Sequence, residues 1–255
     1  MSFYLLYVAI IIDWASCVNG RLPVFPATAI ISDMEVRDIH RWDVSVAEAK
    51  RIQQGLSGKV VRNGRLDAVE LIAGVDISGA DRDGMSRGAI VVLRYPAMEV
   101  VERSVVTMAV GFPYVPGLLS FREMPLILAA CRRLSATPDL FIADAQGIAH
   151  PRRLGLASHL GLILDVPTIG CAKSILCGKH GDLGDEPGDR VSLVDGDEMV
   201  GVALRTKRRV KPVYVSIGHR IDLDEACCWV LECCRGYRLP EPTRLAHLAE
   251  SGKAG

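Results

Sequence analysis

"VELIAGVDIS", residues 69–78, and "PDLFIADA", residues 138–145, decide how this chain is built. Each is a short apolar run that ends in an aspartate, the pattern of a buried strand that reaches a loop. Between them lie two more strand-like runs, "RGAIVVLRY" (87–95) and "EVVERSVVTMAV" (99–110). Gly, Pro and Asp punctuate the first three runs, which makes them an antiparallel meander. The remainder alternates. "SFREMPLILAACRRLS" (120–135) reads as a helix with Pro125 in its first turn, where a missing N–H costs nothing. "HPRRLGLASHLGLILD" (150–165) is a second helix and "PTIGCAK" (167–173) a short strand. A hairpin around Asp195-Gly196, a strand in "KPVYVSIGHR" (211–220) and a helix at about 222–235 follow, and a helix at about 44–56 precedes the meander. A meander followed by alternating helices and strands is the element order of an α/β, RNase H-like fold, a central mixed sheet with flanking helices.

In that sheet the first and fourth strands are neighbours, so Asp76 and Asp144 fall side by side at one edge. Two adjacent carboxylates repel unless a cation lies between them, and Mg²⁺ takes one or two carboxylates while keeping several waters. Either aspartate alone would equally serve as a turn cap.

Composition narrows the class without choosing a partner. The chain has 255 residues, is 49% hydrophobic and carries 30 basic against 30 acidic side chains, so bulk charge does not select a polyanion. Two local clusters, "RTKRRVK" (205–211) and "HPRR" (150–153), could lie beside phosphates or form an ordinary solvated surface. The eight cysteines have neither zinc-ligand spacing nor a disulfide framework, which fits packing in a reducing cytoplasm. Residues 1–33 form an extension distinct from a single domain over 34–255. Its apolar run "FYLLYVAIII" is too short to span a bilayer. Three readings stand for it: a docking segment, a membrane-associating extension, or translation that begins instead at Met34.

"GFPYVPGLLSFRE" (111–123) fits neither helix nor central strand: two prolines bracket Tyr114-Val115, and the run ends in a carboxylate. Taken with "AGVDIS", "HPRRLGLASHLGL", "VPTIGCAKS" and "GYRLPEPTR", it resembles the endonuclease V family, in order and with compact spacing from about Leu71 to Arg244. The resemblance implies Mg²⁺-dependent cleavage, with Mn²⁺ as a substitute, at the second phosphodiester 3′ to hypoxanthine in DNA, leaving 3′-hydroxyl and 5′-phosphate ends. It implies metal ligation by Asp76, Asp144 and Glu123, with His219 completing the metal and water shell. Lys173 would offset charge on the scissile phosphate, and His150 would contact phosphate or orient a carboxylate. Pro113, Tyr114, Val115 and Pro116 would form a wedge beside the lesion. Gly117, Leu119, Gly147 and Leu156 would line a pocket for the flipped base. A monomer acting on DNA with deaminated bases is expected, without a stable membrane partner. Inosine-containing RNA as the substrate, or a non-cleaving lesion-binding protein, are the alternatives. The family usually reads Asp-Gly-(His or Asn)-Gly where this chain reads Asp144-Ala145-Gln146-Gly147. The added Cβ at Ala145 is expected to change rate or lesion preference if the backbone there needs glycine's freedom.

Overall fold

The structure, a computed structural model, describes residues 34–252. The readings made for residues 1–33 lie outside the described residues. Five helices and eight strands follow in chain order: α1 (Val46–Ser57), β1 (Leu71–Ile77), β2 (Met85–Arg94), β3 (Glu99–Ala109), α2 (Leu119–Cys131), β4 (Leu140–Ala143), α3 (Leu156–Leu164), β5 (Thr168–Ala172), β6 (Arg190–Asp195), β7 (Glu198–Leu204), β8 (Val213–His219), α4 (Leu223–Glu232) and α5 (Glu241–Glu250).

The strands form one sheet in the order β3-β2-β1-β4-β5-β8-β7-β6. β1 pairs antiparallel with β2 and parallel with β4, and β4 pairs parallel with β5. β8 runs antiparallel to β5 and closes a second meander with β7 and β6. This is the RNase H-like arrangement expected from the element order.

Period-two alternation divides the sheet between two cores. Ala89, Val91 and Leu93 of β2 join Ala226 and Val230 of α4 and Ala246 and Ala249 of α5. Ile90 and Val92 face the other way, with Ala73 and Val75 of β1, onto Met124 and Ile127 of α2 and Leu160 of α3. Helices therefore cover both faces, which is why the central strands read as continuous apolar runs. At Gly74 a Cβ would lie 1.9 Å from the Pro242 carbonyl oxygen, so only glycine lets the start of α5 cross directly over β1.

Two expectations about helices need correction, and one helix was missed. Pro125 lies inside α2 rather than in its first turn, because the helix already begins at Leu119. The second helix begins at Leu156 and not at His150: Arg153 takes a left-handed φ of 54°, which a helix cannot continue through, and Gly155 is the N-cap. Helix α5 was not anticipated. Pro240 is its N-cap and Pro242 sits in its first turn, where proline is tolerated, so "PEPTR" starts a helix.

Candidate active site

The parallel pairing of β1 and β4 fixes the centre of the site. Val75 is in register with Ala143, so the next residues, Asp76 and Asp144, lie level at the C-terminal edge, where the Asp144 N–H donates to the Val75 carbonyl at 3.0 Å. Ala143 is in register with Gly170, and two residues beyond Gly170 β5 ends at Ala172. Lys173 follows, and its ammonium pairs with Asp144 Oδ2. Asp76 Oδ1 accepts from the Ile77 N–H at 2.9 Å, and its Oδ2 faces Nδ1 of His247 on α5 at 2.8 Å. The same Nδ1 lies 3.2 Å from Glu250 Oε1. Ligand atoms of Asp76, His247 and Glu250 all fall within 4.8 Å of one another, a grouping able to hold a cation.

Charge is poorly balanced here. Burial, then the Asp144 charge, pushes the Asp76 carboxyl up to about 6, even though Lys173 and His247 pull it down. Glu123, from α2, is pushed up to about 8 by burial and by the charges of Asp76 and Asp144, which outweigh the opposing effect of Arg122. No hydrogen bond or ion pair reaches the Glu123 carboxylate among the described residues. An all-oxygen donor set that is destabilised as anions, flanked by one imidazole, suits a hard divalent cation.

Beside the carboxylates opens a pocket of about 410 Å³, lined by Asp76, Asp144, Ala145, Gln146, Leu156 and Lys173 on one side and by Tyr114 to Gly117 and Leu119 on the other. The proline-bracketed loop is held from beneath. Gly117 has φ 77°, a backbone state suited to glycine, and its carbonyl accepts from Gln53 Nε2 at 3.1 Å, His150 Nε2 at 2.9 Å and Arg152 Nη2 at 2.6 Å. Because the Arg152 N–H donates to His150 Nδ1 at 3.1 Å, the ring proton is on Nε2. Burial depresses the His150 pKa to about 4, so it stays neutral in this role. Tyr114, by contrast, is 72% exposed and points a rigid aromatic tip away from the body.

Several predicted positions are therefore moved or reassigned. His219 is not brought to the carboxylates: it pairs with Thr168 at the start of β5, the opposite end from Ala172. β8 runs antiparallel, so its last residue lies four strand rises, roughly 13 Å, from the Lys173 edge. His219 instead accepts from the Val61 N–H at 3.2 Å and sits 3.5 Å from Asp165. His150 orients the Gly117 loop, not a carboxylate. Gly147 does not line the pocket. A Cβ on it would lie 2.0 Å from the Ile217 carbonyl, so this glycine serves close packing against β8. Ala145 takes no positive φ, and its methyl joins the α2–α3 core, so the departure at this position carries no backbone strain. Gln146 anchors its amide on the Ser174 carbonyl at 2.7 Å. Among functional positions, His247, Glu250 and Gln53 were missed. The i, i+3 pair in "HLAE" was the available signal for the first two.

The comparisons agree with this architecture. The family model for endonuclease V matches residues 54–248. An endonuclease V of Gloeobacter violaceus is 56% identical over 212 residues, 82% of this chain and 86% of that protein. The crystal structure of Bacillus subtilis endonuclease V superposes with a TM-score of 0.82 at 33% identity, covering 86% of this chain and 96% of the other. Ciona intestinalis endonuclease V, solved with a 24mer DNA containing an inosine followed by a ribo-adenosine, gives a TM-score of 0.72 at 27% identity over 82% of this chain and 97% of its own. Paired aspartates on adjacent parallel strands, a stapled proline loop and a match over most of the chain lead to one assignment: the protein belongs to the endonuclease V family.

Proposed function

We propose that this protein is a Mg²⁺-dependent endonuclease of DNA repair that cuts the second phosphodiester 3′ to hypoxanthine and leaves 3′-hydroxyl and 5′-phosphate ends. The observation that carries the reading is the excess of carboxylates at the β1/β4 edge, with Lys173 as the one cation paired to them among the described residues. Asp76, Asp144 and Glu123 would hold the divalent ion. Bound there, it would supply a water of lowered pKa and offset charge on the phosphodiester.

The remaining steps belong to side chains. Lys173, 39% exposed while paired with Asp144, can turn its charge toward the scissile phosphate. His247 commits Nδ1 to Asp76 and leaves its other ring nitrogen open on a half-exposed side chain, placed to orient water or a phosphate oxygen. Tyr114 on its proline-stiffened loop would fill the gap left by an extruded base, which offsets part of an unstacking cost of about a few kcal/mol. The adjacent pocket, with Leu156 and Gly117 in its wall, would receive that base. The substrate assignment rests on the inosine-containing DNA bound by the Ciona relative. A cytoplasmic monomer completes the proposal, and no helix among the described residues is long and apolar enough to cross a membrane.

The deciding experiment incubates matched inosine-containing DNA and RNA strands with the protein, with and without Mg²⁺, and maps the ends. Cleavage of DNA at the second 3′ phosphodiester only with Mg²⁺ is the expected result. Cleavage of RNA alone would transfer the activity to inosine-containing RNA, and lesion binding without cleavage of either would make this a binding protein.

A further inference from the structure

The two basic clusters of the sequence have different fates. In "HPRR", Arg152 is consumed by Gly117 and Gln53, and Arg153 by Asp195 and Glu198. In "RTKRRVK", Arg205 pairs with Asp185 and Arg208 with Glu186. Lys207, Arg209 and Lys211 are exposed, and no partner is found for them among the described residues. They alternate along the loop between β7 and β8, with Arg209 in a left-handed backbone state of φ 57°.

Topology puts this loop at the catalytic edge. Leu204 is in register with Val213, and Tyr214 with Ala172, so the β7–β8 loop leaves the sheet at the level where β5 ends and Lys173 begins. One side chain ties the two together: Arg238 Nη2 donates to the Lys173 carbonyl and to the Pro212 carbonyl, both at 2.7 Å. Thr206 Oγ1 donates to the Arg238 carbonyl at 2.6 Å, which fixes the other end of the loop. β5 and β7 are separated by β8 alone, so the three cations start roughly 10 Å along the sheet edge from Lys173. That is a distance of a few phosphates rather than of the scissile one.

We propose that Lys207, Arg209 and Lys211 form a second phosphate-binding surface, which grips the nucleic-acid backbone a few nucleotides from the cleavage point and sets the length and salt dependence of binding. It rests on the reading of the site as a nuclease and adds a contact outside the carboxylates and the pocket. The loop is stapled, so the cations are presented on a fixed frame. The acidic neighbours Asp185 and Glu186 are neutralised by Arg205 and Arg208, so they subtract little from the field.

The test compares the full protein with a Lys207→Gln/Arg209→Gln/Lys211→Gln variant, without divalent ion, on single DNA strands with a central inosine and on matched intact strands. Dissociation constants are measured between about 50 and 200 mM salt. Loss of three phosphate contacts should lower the log–log salt slope by about 2, at ~0.7 per contact on a single strand. Affinity at low salt should drop about tenfold on inosine and intact strands alike, and the drop should vanish on a short strand that ends just beyond the inosine. A Lys207→Arg/Lys211→Arg variant, which keeps the charges, should retain the wild-type slope, and melting temperatures verify that each variant is folded. An unchanged slope in the folded triple variant overturns the proposal. The wild-type preference for inosine over intact strands reads the nuclease site separately: its absence together with a shifted slope would sink the site reading and leave this surface standing.

Discussion

Two ends of one sheet each carry an aspartate and a histidine, and they are built on opposite electrostatic terms. At the far end Asp165, in the left-handed state with φ 55° at the C-cap of α3, meets Arg37 Nη2 at 2.7 Å, Arg220 Nε at 2.7 Å and His219. Its burial pushes the carboxyl upward, but the hydrogen bonds and charges of Arg220 and Arg37 outweigh that and hold it below the ordinary range. At the near end Asp76 and Glu123 are held above theirs. Stability alone would have paired both. A cluster left short of cations in a folded protein is what a site reserved for a metal and a phosphate looks like, whereas a satisfied cluster is structure.

The sharpest way to break this contrast is to remove members of the near end one at a time. Asp144→Asn should reduce inosine-strand cleavage by roughly 10³-fold or more, about 4 kcal/mol of barrier, while inosine binding survives. Near-normal single-turnover rates would remove Asp144 from the metal site. His247→Asn should cost on the order of 10²-fold, the usual range for a positioned acid–base or orienting imidazole. A rate within twofold of wild type would make His247 a helix-surface residue.

Next in size is the pH dependence of the metal-free protein. The Glu123 and Asp76 values are raised in the folded state, so the stability they contribute is complete below their ordinary values of 4.5 and 3.8. It is lost as pH rises through about 8 for Glu123 and about 6 for Asp76. Relative to Glu123→Gln, the wild type should therefore lose on the order of a few kcal/mol between pH 5 and 8 in chelator, and Mg²⁺ should restore most of it. Parallel melting curves of the two proteins across that range would contradict the crowded-carboxylate account. Asp165 has the reverse sign: its contribution is present above its ordinary value of 3.8 and disappears as pH falls through the lower folded value. Asp165→Asn should remove roughly 1 kcal/mol, a fall of about 2–4 °C in melting temperature, because its arginines are half-exposed and screened. Loss of cleavage without loss of stability in that variant would reverse the roles assigned to the two ends.

The near end was largely legible in the sequence because its residues follow apolar strands whose order fixes their neighbours. Asp76 and Asp144 came from β1 and β4 and the exposed loop from its two prolines, while Lys173 and Glu123 came only through the family resemblance. What was not legible depended on direction and on a hidden helix. The strand holding His219 was read correctly, but nothing local in "VYVSIGH" says that β8 runs antiparallel to β5 and carries the histidine away. His247 was missed because no helix was read beyond about residue 235, while Gly74, nearly 170 residues earlier, makes room for the one that carries it. Gln53, His150 and Arg152 hold the Gly117 carbonyl from helix and loop, a three-donor convergence that no spacing in the chain encodes.

The smallest expected effect separates the two histidines. His219 is 3% exposed, with Nδ1 accepting from the Val61 N–H and Nε2 near Asp165. Burial lowers its pKa, and Arg220 and Arg37 reinforce that against the pull of Asp165, so the ring is a neutral, structural acceptor. His219→Asn offers a carbonyl oxygen close to the place of Nδ1 and keeps the Val61 bond, while the rest of the lost ring leaves a small void. The expected cost is about 1 kcal/mol of stability, in the range for a mostly replaced hydrogen bond and a small void. Single-turnover cleavage with saturating Mg²⁺ should stay within about twofold of wild type, well inside 1 kcal/mol of barrier. If His219→Asn instead lost activity by the margin expected of His247→Asn, with its melting temperature intact, the far end would take part in the chemistry. The division between a starved edge and a satisfied one would then fail.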